Sequence, residues 1–94
     1  MLKFVWDHEK AHSNQKKHGV SFSEASTVFA DPLACIFDDE FHSTRERREI
    51  IIGYSNRLRL TIVCFTERSG VIRIISSRLA TRKERNEYEE NRIK

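Results

Sequence analysis

Leu58-Arg59-Leu60-Thr61-Ile62-Val63-Cys64-Phe65-Thr66-Glu67-Arg68-Ser69-Gly70-Val71-Ile72-Arg73-Ile74-Ile75-Ser76-Ser77 decides the fold class of this chain. Two runs rich in β-branched and aromatic residues, Leu58–Thr66 and Val71–Ser77, flank the polar stretch Glu67–Gly70. Such side chains suit a pleated surface, and a short glycine-containing connection folds two such runs into an antiparallel hairpin. Upstream, Arg48–Tyr54 reads as a further strand that turns at Ser55-Asn56, and Leu33–Phe37 as one more. Strands joined by short turns imply a mostly antiparallel sheet.

The flanks carry helical signals. Leu2–Trp6 is a short aromatic and β-branched run, so it reads as a strand. Asp7 can accept the free amides of a helix over His8–His18, and Gly19 is suited to the left-handed residue that ends it. Ser21 and Glu24 have capping-box spacing for a second helix, with Phe22, Ala25, Val28 and Phe29 at helical intervals and Asp31-Pro32 as its stop. Thr81 and Glu84 form another such box, opening a last helix that runs to about Arg92. Leu79, Ala80, Tyr88 and Ile93 are all the apolar side chains that this helix has, so it is expected to pack lightly. The order is β-α-α-β-β-β-β-α. The expected fold is α+β: a mostly antiparallel sheet of four to five strands, two N-terminal helices packed on it, and one C-terminal helix.

Composition narrows the function. Ninety-four residues, 33% charged and 38% apolar, make one domain spanning 1–94, with a small core and a heavily solvated surface. No run is long and apolar enough to span a bilayer, and the N-terminus becomes charged too soon for a secretory signal, so a cytoplasmic location is expected. Cys35 and Cys64 sit in apolar runs and read as buried thiols. His8 and His12 are four apart, but no third ligand accompanies them, so neither a metal nor a cofactor is expected. Asp31, Asp38, Asp39 and Glu40 come from one segment, unlike the scattered carboxylates of a two-metal nuclease, and read as a solvated acidic edge. The net charge is +3, with eight Lys/Arg against four Asp/Glu from Arg68 to Lys94. The C-terminal third therefore has the electrostatics of a polyanion contact.

Individual motifs extend over nearly the whole chain. They comprise Trp6-Asp7, Asn14, Lys17-His18-Gly19-Val20-Ser21-Phe22, Glu24-Ala25, Val28-Phe29 and Asp31-Pro32. They continue with His42-Ser43, Glu46-Arg47, Ile52-Gly53, Thr66-Glu67-Arg68, Ile72-Arg73-Ile74-Ile75-Ser76, Arg78, Ala80-Thr81-Arg82, Glu84-Arg85 and Tyr88-Glu89. In this order the set resembles the BrnT family, departing from it at Ser77 and in the short Glu67–Gly70 turn. The resemblance implies a RelE-like fold and a metal-independent endoribonuclease acting as the toxin of a type II toxin–antitoxin pair. It implies a BrnA-like antitoxin with a ribbon–helix–helix part, a hetero-oligomer holding two or more toxin copies, and contact with operator DNA only through that antitoxin.

Metal-free RNA cleavage needs a base for the 2′-hydroxyl, an acid for the leaving 5′-oxygen, and cations for the phosphoryl charge. Arg73 stands in a strand otherwise made for a core, which makes it the leading phosphate ligand. Arg78 and Arg82 flank the start of the last helix, whose free amides favour an anion. Ideal alternation puts Arg73, Ile75 and Ser77 on one face and Arg78 on the other, so the two arginines meet only if the strand ends or bulges between them. Glu67 is a candidate base or a turn residue; His18, at a helix C-terminus, is a candidate acid–base group or a capping, half-buried structural histidine. Lys17, Arg68, Arg85 and Tyr88 are candidate RNA contacts, Tyr88 equally an anchor for its helix. The same cluster would serve a non-catalytic nucleic-acid-binding or adaptor module.

Overall fold

Five strands pair into one sheet in the computed structural model, which describes residues 2–42 and 45–93. They are β1 (Lys3–Val5), β2 (Cys35–Asp38), β3 (Glu49–Tyr54), β4 (Leu60–Arg68) and β5 (Val71–Leu79). The spatial order is β1-β5-β4-β3-β2; β2/β3, β3/β4 and β4/β5 are antiparallel, and β1 joins β5 in parallel. The helices are α1 (His8–His18), α2 (Phe22–Thr27), prolonged by a 3-10 turn at Val28–Ala30, and α3 (Arg82–Ile93). The fold is thus α+β with a mostly antiparallel sheet. No helix of the described residues is long and apolar enough to cross a membrane.

Local chemistry explains these bounds. Asp7 accepts the amides of Glu9 and Lys10 at the start of α1, and Gly19, at φ 71°, closes it by donating to Gln15 O. The β4–β5 hairpin is tighter than expected. Only Ser69 and Gly70 form its loop, both at positive φ (52° and 81°), as a primed two-residue turn requires. Strand β4 begins later than expected, because Ser55 gathers the amides of Arg57 and Arg59 and turns the intervening residues into a loop.

The core fills one face of the sheet. Phe22, Ala25 and Val28 pack on Ile51, Val63, Phe65, Ile72 and Ile74. Phe29 bridges Phe4 and Phe65, with ring centroids 5.2 and 4.9 Å away. Gly53 permits the close approach of this layer, since a Cβ there would lie 2.8 Å from Ala34 Cβ and 3.1 Å from both Asp31 Oδ2 and Val28 Cγ1. Gly53→Ala is therefore expected to destabilise the protein by about 1–3 kcal/mol through overpacking, read as a lowered urea midpoint. An unchanged midpoint would show that the layer yields freely.

Two expectations fail here. Cys35 is exposed, because β2 is an edge strand whose residues are all exposed. Glu24 does not complete a capping box with Ser21. Ser21 Oγ accepts the Glu24 amide, but the buried Glu24 carboxylate turns instead to the Arg59 guanidinium and the Ser55 hydroxyl. Arg59 also donates to Gly19 O at 3.1 Å, so this ion pair ties the end of α1 and α2 to the β3–β4 turn.

Candidate functional site

The face of the sheet away from the core carries the site. Register along β4/β5 runs Ile62↔Arg78, Val63↔Ser77 and Cys64↔Ser76, then shifts to Phe65↔Ile74 and Thr66↔Arg73. Ile75 is the extra residue of a β-bulge. Ile62 and Thr66 share a face of β4, so their partners Arg78 and Arg73 share a face of β5. Ideal alternation, which separated the two arginines and grouped Ser77 with Arg73, is corrected by this bulge. The two Cα positions lie about 13 Å apart, four strand steps of roughly 3.3 Å.

Asn14 holds the bulged segment in place. Strand β1 pairs with β5 only as far as Arg73, leaving the edge beyond without a strand. There the Asn14 carboxamide accepts from Ser77 N (3.0 Å) and donates to Ser77 O (2.8 Å), Ser77 Oγ (2.9 Å) and Val20 O (3.1 Å). A helix side chain thus takes the place of a neighbouring strand, and Ser77 is buried against α1. Sequence reading assigned Asn14 no role. Its signals are its place among the ordered family-like motifs and a poor helix former in the middle of a helix.

Two adjoining hollows of about 270 and 260 Å³ form a groove across the open face. Arg73, Lys10, Arg45 and Glu46 line the first; Arg78, His18, His42 and Asp39 line the second; Arg48 and Ile75 belong to both. A more open hollow lined by Lys10, Lys16, Lys17 and His18 continues the basic lane past β5. Arg45 and Arg48 had not been singled out from sequence. Among the described residues no three His, Cys, Asp or Glu side chains converge as metal ligands would.

Two acids depart from the solvated acidic edge expected for this segment: Asp31, half-buried, accepts the amides of Leu33 and Tyr54, and Asp39 lies deeper. It is buried, accepts from His42 and from the Cys64 thiol, and its amide donates to Arg48 O. Burial alone would raise its pKa; the His42 and Cys64 hydrogen bonds outweigh that and hold the carboxylate below its ordinary range. Burial beside the Asp39 charge pushes the Cys64 thiol up to about 11, so it is a proton donor and not a nucleophile near neutral pH.

The remaining candidates divide. Arg78 makes a two-point ion pair with Glu84 (2.8 and 2.9 Å), whose carboxylate also accepts the Thr81 amide in the expected capping box. Arg82 is exposed at the first position of α3. Glu67 follows Thr66 on β4 and so belongs to the opposite face from Arg73. It is exposed and accepts the Gly70 amide, as a turn residue does. Arg68 is exposed at the hairpin end, and Arg85 lines a separate hollow with Leu58, Leu60 and Ala80. Tyr88 is buried; its ring meets Tyr54 edge-on and its hydroxyl donates to Leu33 O, anchoring α3 over one end of the open face.

The Arg78 guanidinium lowers Glu84 from 4.5 to about 2. Because the folded value is depressed, this pairing contributes fully above the ordinary carboxylate pKa and is lost as pH falls toward 2. The first turn of α3 should therefore loosen between about pH 4.5 and 2, seen as loss of helical amide shifts at Glu84 and Arg85. An α3 start unchanged at pH 2 would remove this pairing as its anchor.

Comparison with known proteins covers most of the chain. The family described as "Ribonuclease toxin, BrnT, of type II toxin-antitoxin system" matches residues 6–84. The 1.1 Å crystal structure of the Brucella abortus ribonuclease toxin BrnT superposes with a TM-score of 0.67 at 26% identity, covering 87% of this chain and 100% of that one. No curated relative matches.

Proposed function

Since the chain belongs to the BrnT family of ribonuclease toxins from type II toxin–antitoxin systems, we propose that it cleaves RNA on the open sheet face without a metal. The observation that carries this reading is the bulge, which aligns Arg73 and Arg78 along one groove. Arginine forks match phosphate oxygens and keep their charge at all relevant pH. Arg73 and Arg78 would hold the scissile phosphate and its neighbour. Arg48 and Lys17 would follow the backbone, and His18 would supply the proton to the leaving 5′-oxygen. Arg82 and Arg68 extend the positive field, Glu67 and Tyr88 serve the fold around the groove, and Arg85 stands apart from it at a separate hollow. The products would be a 2′,3′-cyclic phosphate and a 5′-hydroxyl, and loss of messages in the cytoplasm would inhibit translation.

The test is cleavage of a single-stranded transcript by partner-free protein in EDTA, with end-group analysis. Cleavage leaving cyclic phosphate supports the reading. Activity that vanishes in EDTA and returns with Mg²⁺, or 5′-phosphate ends, would overturn it.

A type II toxin has an antitoxin. We propose a BrnA-like ribbon–helix–helix protein whose acidic segments cover the groove and whose dimer gathers two or more toxins on operator DNA. Co-expression with the neighbouring reading frame should yield a complex that Arg78→Glu with Arg82→Glu weakens at least tenfold. A toxin recovered alone, still toxic beside that neighbour, would contradict this.

A further inference from the structure

The groove's arginines bind phosphate, but none of them can take the 2′-hydroxyl proton. We propose that His42, held in place by Asp39, is the base that does so; the inference rests on the ribonuclease reading above.

The geometry is specific. His42 Nδ1 lies 3.0 Å from each carboxylate oxygen of Asp39. With Nδ1–H donated to that carboxylate, the neutral ring keeps its lone pair on Nε2, turned away from Asp39. The two residues differ sharply in exposure: the His42 side chain is 68% exposed, that of Asp39 8%. A buried acid thus fixes one nitrogen of a mostly exposed ring that lines the hollow containing Arg78 and His18. Asp39 is itself fixed by the Cys64 thiol and by its own amide on Arg48 O.

The chemistry follows from these positions. The 2′-oxygen attacks phosphorus and passes its proton to His42 Nε2. The 2′-O–P bond forms as the P–O5′ bond breaks, and the 5′-oxygen leaves with a proton from His18. His42 then carries a positive charge that Asp39 stabilises. The arginines around the hollow, Arg48 and Arg78, disfavour that charge, which is why a buried carboxylate is useful behind the ring. Asp39 is a positioning residue: it sets the tautomer and the orientation of the His42 ring.

The test uses the full chain, a 5′-labelled single-stranded transcript and EDTA. His42→Gln removes a mostly exposed side chain, so the fold should persist. Its kcat should fall about 10²–10⁴-fold with KM unchanged, as expected for loss of a general base. Asp39→Asn keeps the shape but can turn its amide N–H toward Nδ1 and hold the wrong tautomer. Its kcat should fall at least tenfold with KM unchanged, whereas a merely structural Asp39 would lower the urea midpoint and leave the kcat of folded molecules in place. His42→Gln with wild-type kcat overturns the inference alone, provided Arg73→Ala is still impaired. A wild-type chain that cleaves nothing in EDTA overturns it together with the ribonuclease reading. If Asp39→Asn does not fold, the kcat and KM of His42→Gln decide the matter by themselves.

Discussion

Arg73→Ala and Arg78→Ala should each lower the kcat/KM of RNA cleavage by about 10²–10³-fold, the scale of losing one preorganised donor to a developing oxyanion. Both side chains emerge from a strand, so the backbone that aims them is fixed before substrate arrives. Arg73 is exposed, and its removal should leave the urea midpoint unchanged. Arg78 also holds Glu84, so a loss of activity there has two possible origins. Glu84→Gln separates them: it weakens the anchor of α3 while freeing the guanidinium, and cleavage should be retained or increased. Lysine at either position keeps the charge but not the fork and should recover only part of the activity. If both alanine variants cleave at the wild-type rate, the groove does not bind the scissile phosphate.

Asn14→Ala should destabilise the protein by about 2–4 kcal/mol, more than any other single substitution considered. It strands the N–H and C=O of Ser77 at a buried strand edge, where each unsatisfied group costs about 1–3 kcal/mol. Asn14→Asp should not rescue stability. It retains an acceptor for Ser77 N but loses the donor to Ser77 O and Val20 O, and it buries a charge. Molecules that still fold should cleave slowly, because the segment carrying Arg78 has lost its outer support. A loss below 0.5 kcal/mol in urea titration, roughly the level of a neutral surface change, would show that Asn14 does not hold the bulge.

Much of this architecture is legible in local sequence, for local reasons. The bounds of α1 follow from Asp7 and Gly19, the start of α3 from Thr81 and Glu84, and the β4–β5 hairpin from two β-branched runs around a glycine. The bulge at Ile75 has no such signature. The segment Ile74–Ser77 contains no glycine, and what supports it is Asn14, 63 residues away from Ser77. Ideal alternation therefore misplaces Ser77 and leaves open whether Arg73 and Arg78 meet. Asp39 is opaque for the same reason. Its neighbours Asp38 and Glu40 are exposed, whereas Asp39 is buried and accepts from the Cys64 thiol of β4, a contact that no local pattern carries. Glu24 has capping-box spacing, but a guanidinium from the β3–β4 turn outcompetes the backbone amide for it. Arg45 and Arg48 enter the groove because β3 lies beside β4, a fact of topology that no local pattern carries.

The location of the site is tested most directly by an NMR titration with a short 2′-O-methyl oligoribonucleotide, which binds as RNA does but has no nucleophile. If the bulge builds the RNA groove, the amides of Arg73 through Arg78, Cys64 and Arg48 should shift together, and those of Arg73→Ala should shift only at much higher oligonucleotide concentration. Shifts confined to the Glu67–Gly70 turn or to the Arg85 side of α3, with the bulged segment undisturbed, would contradict it.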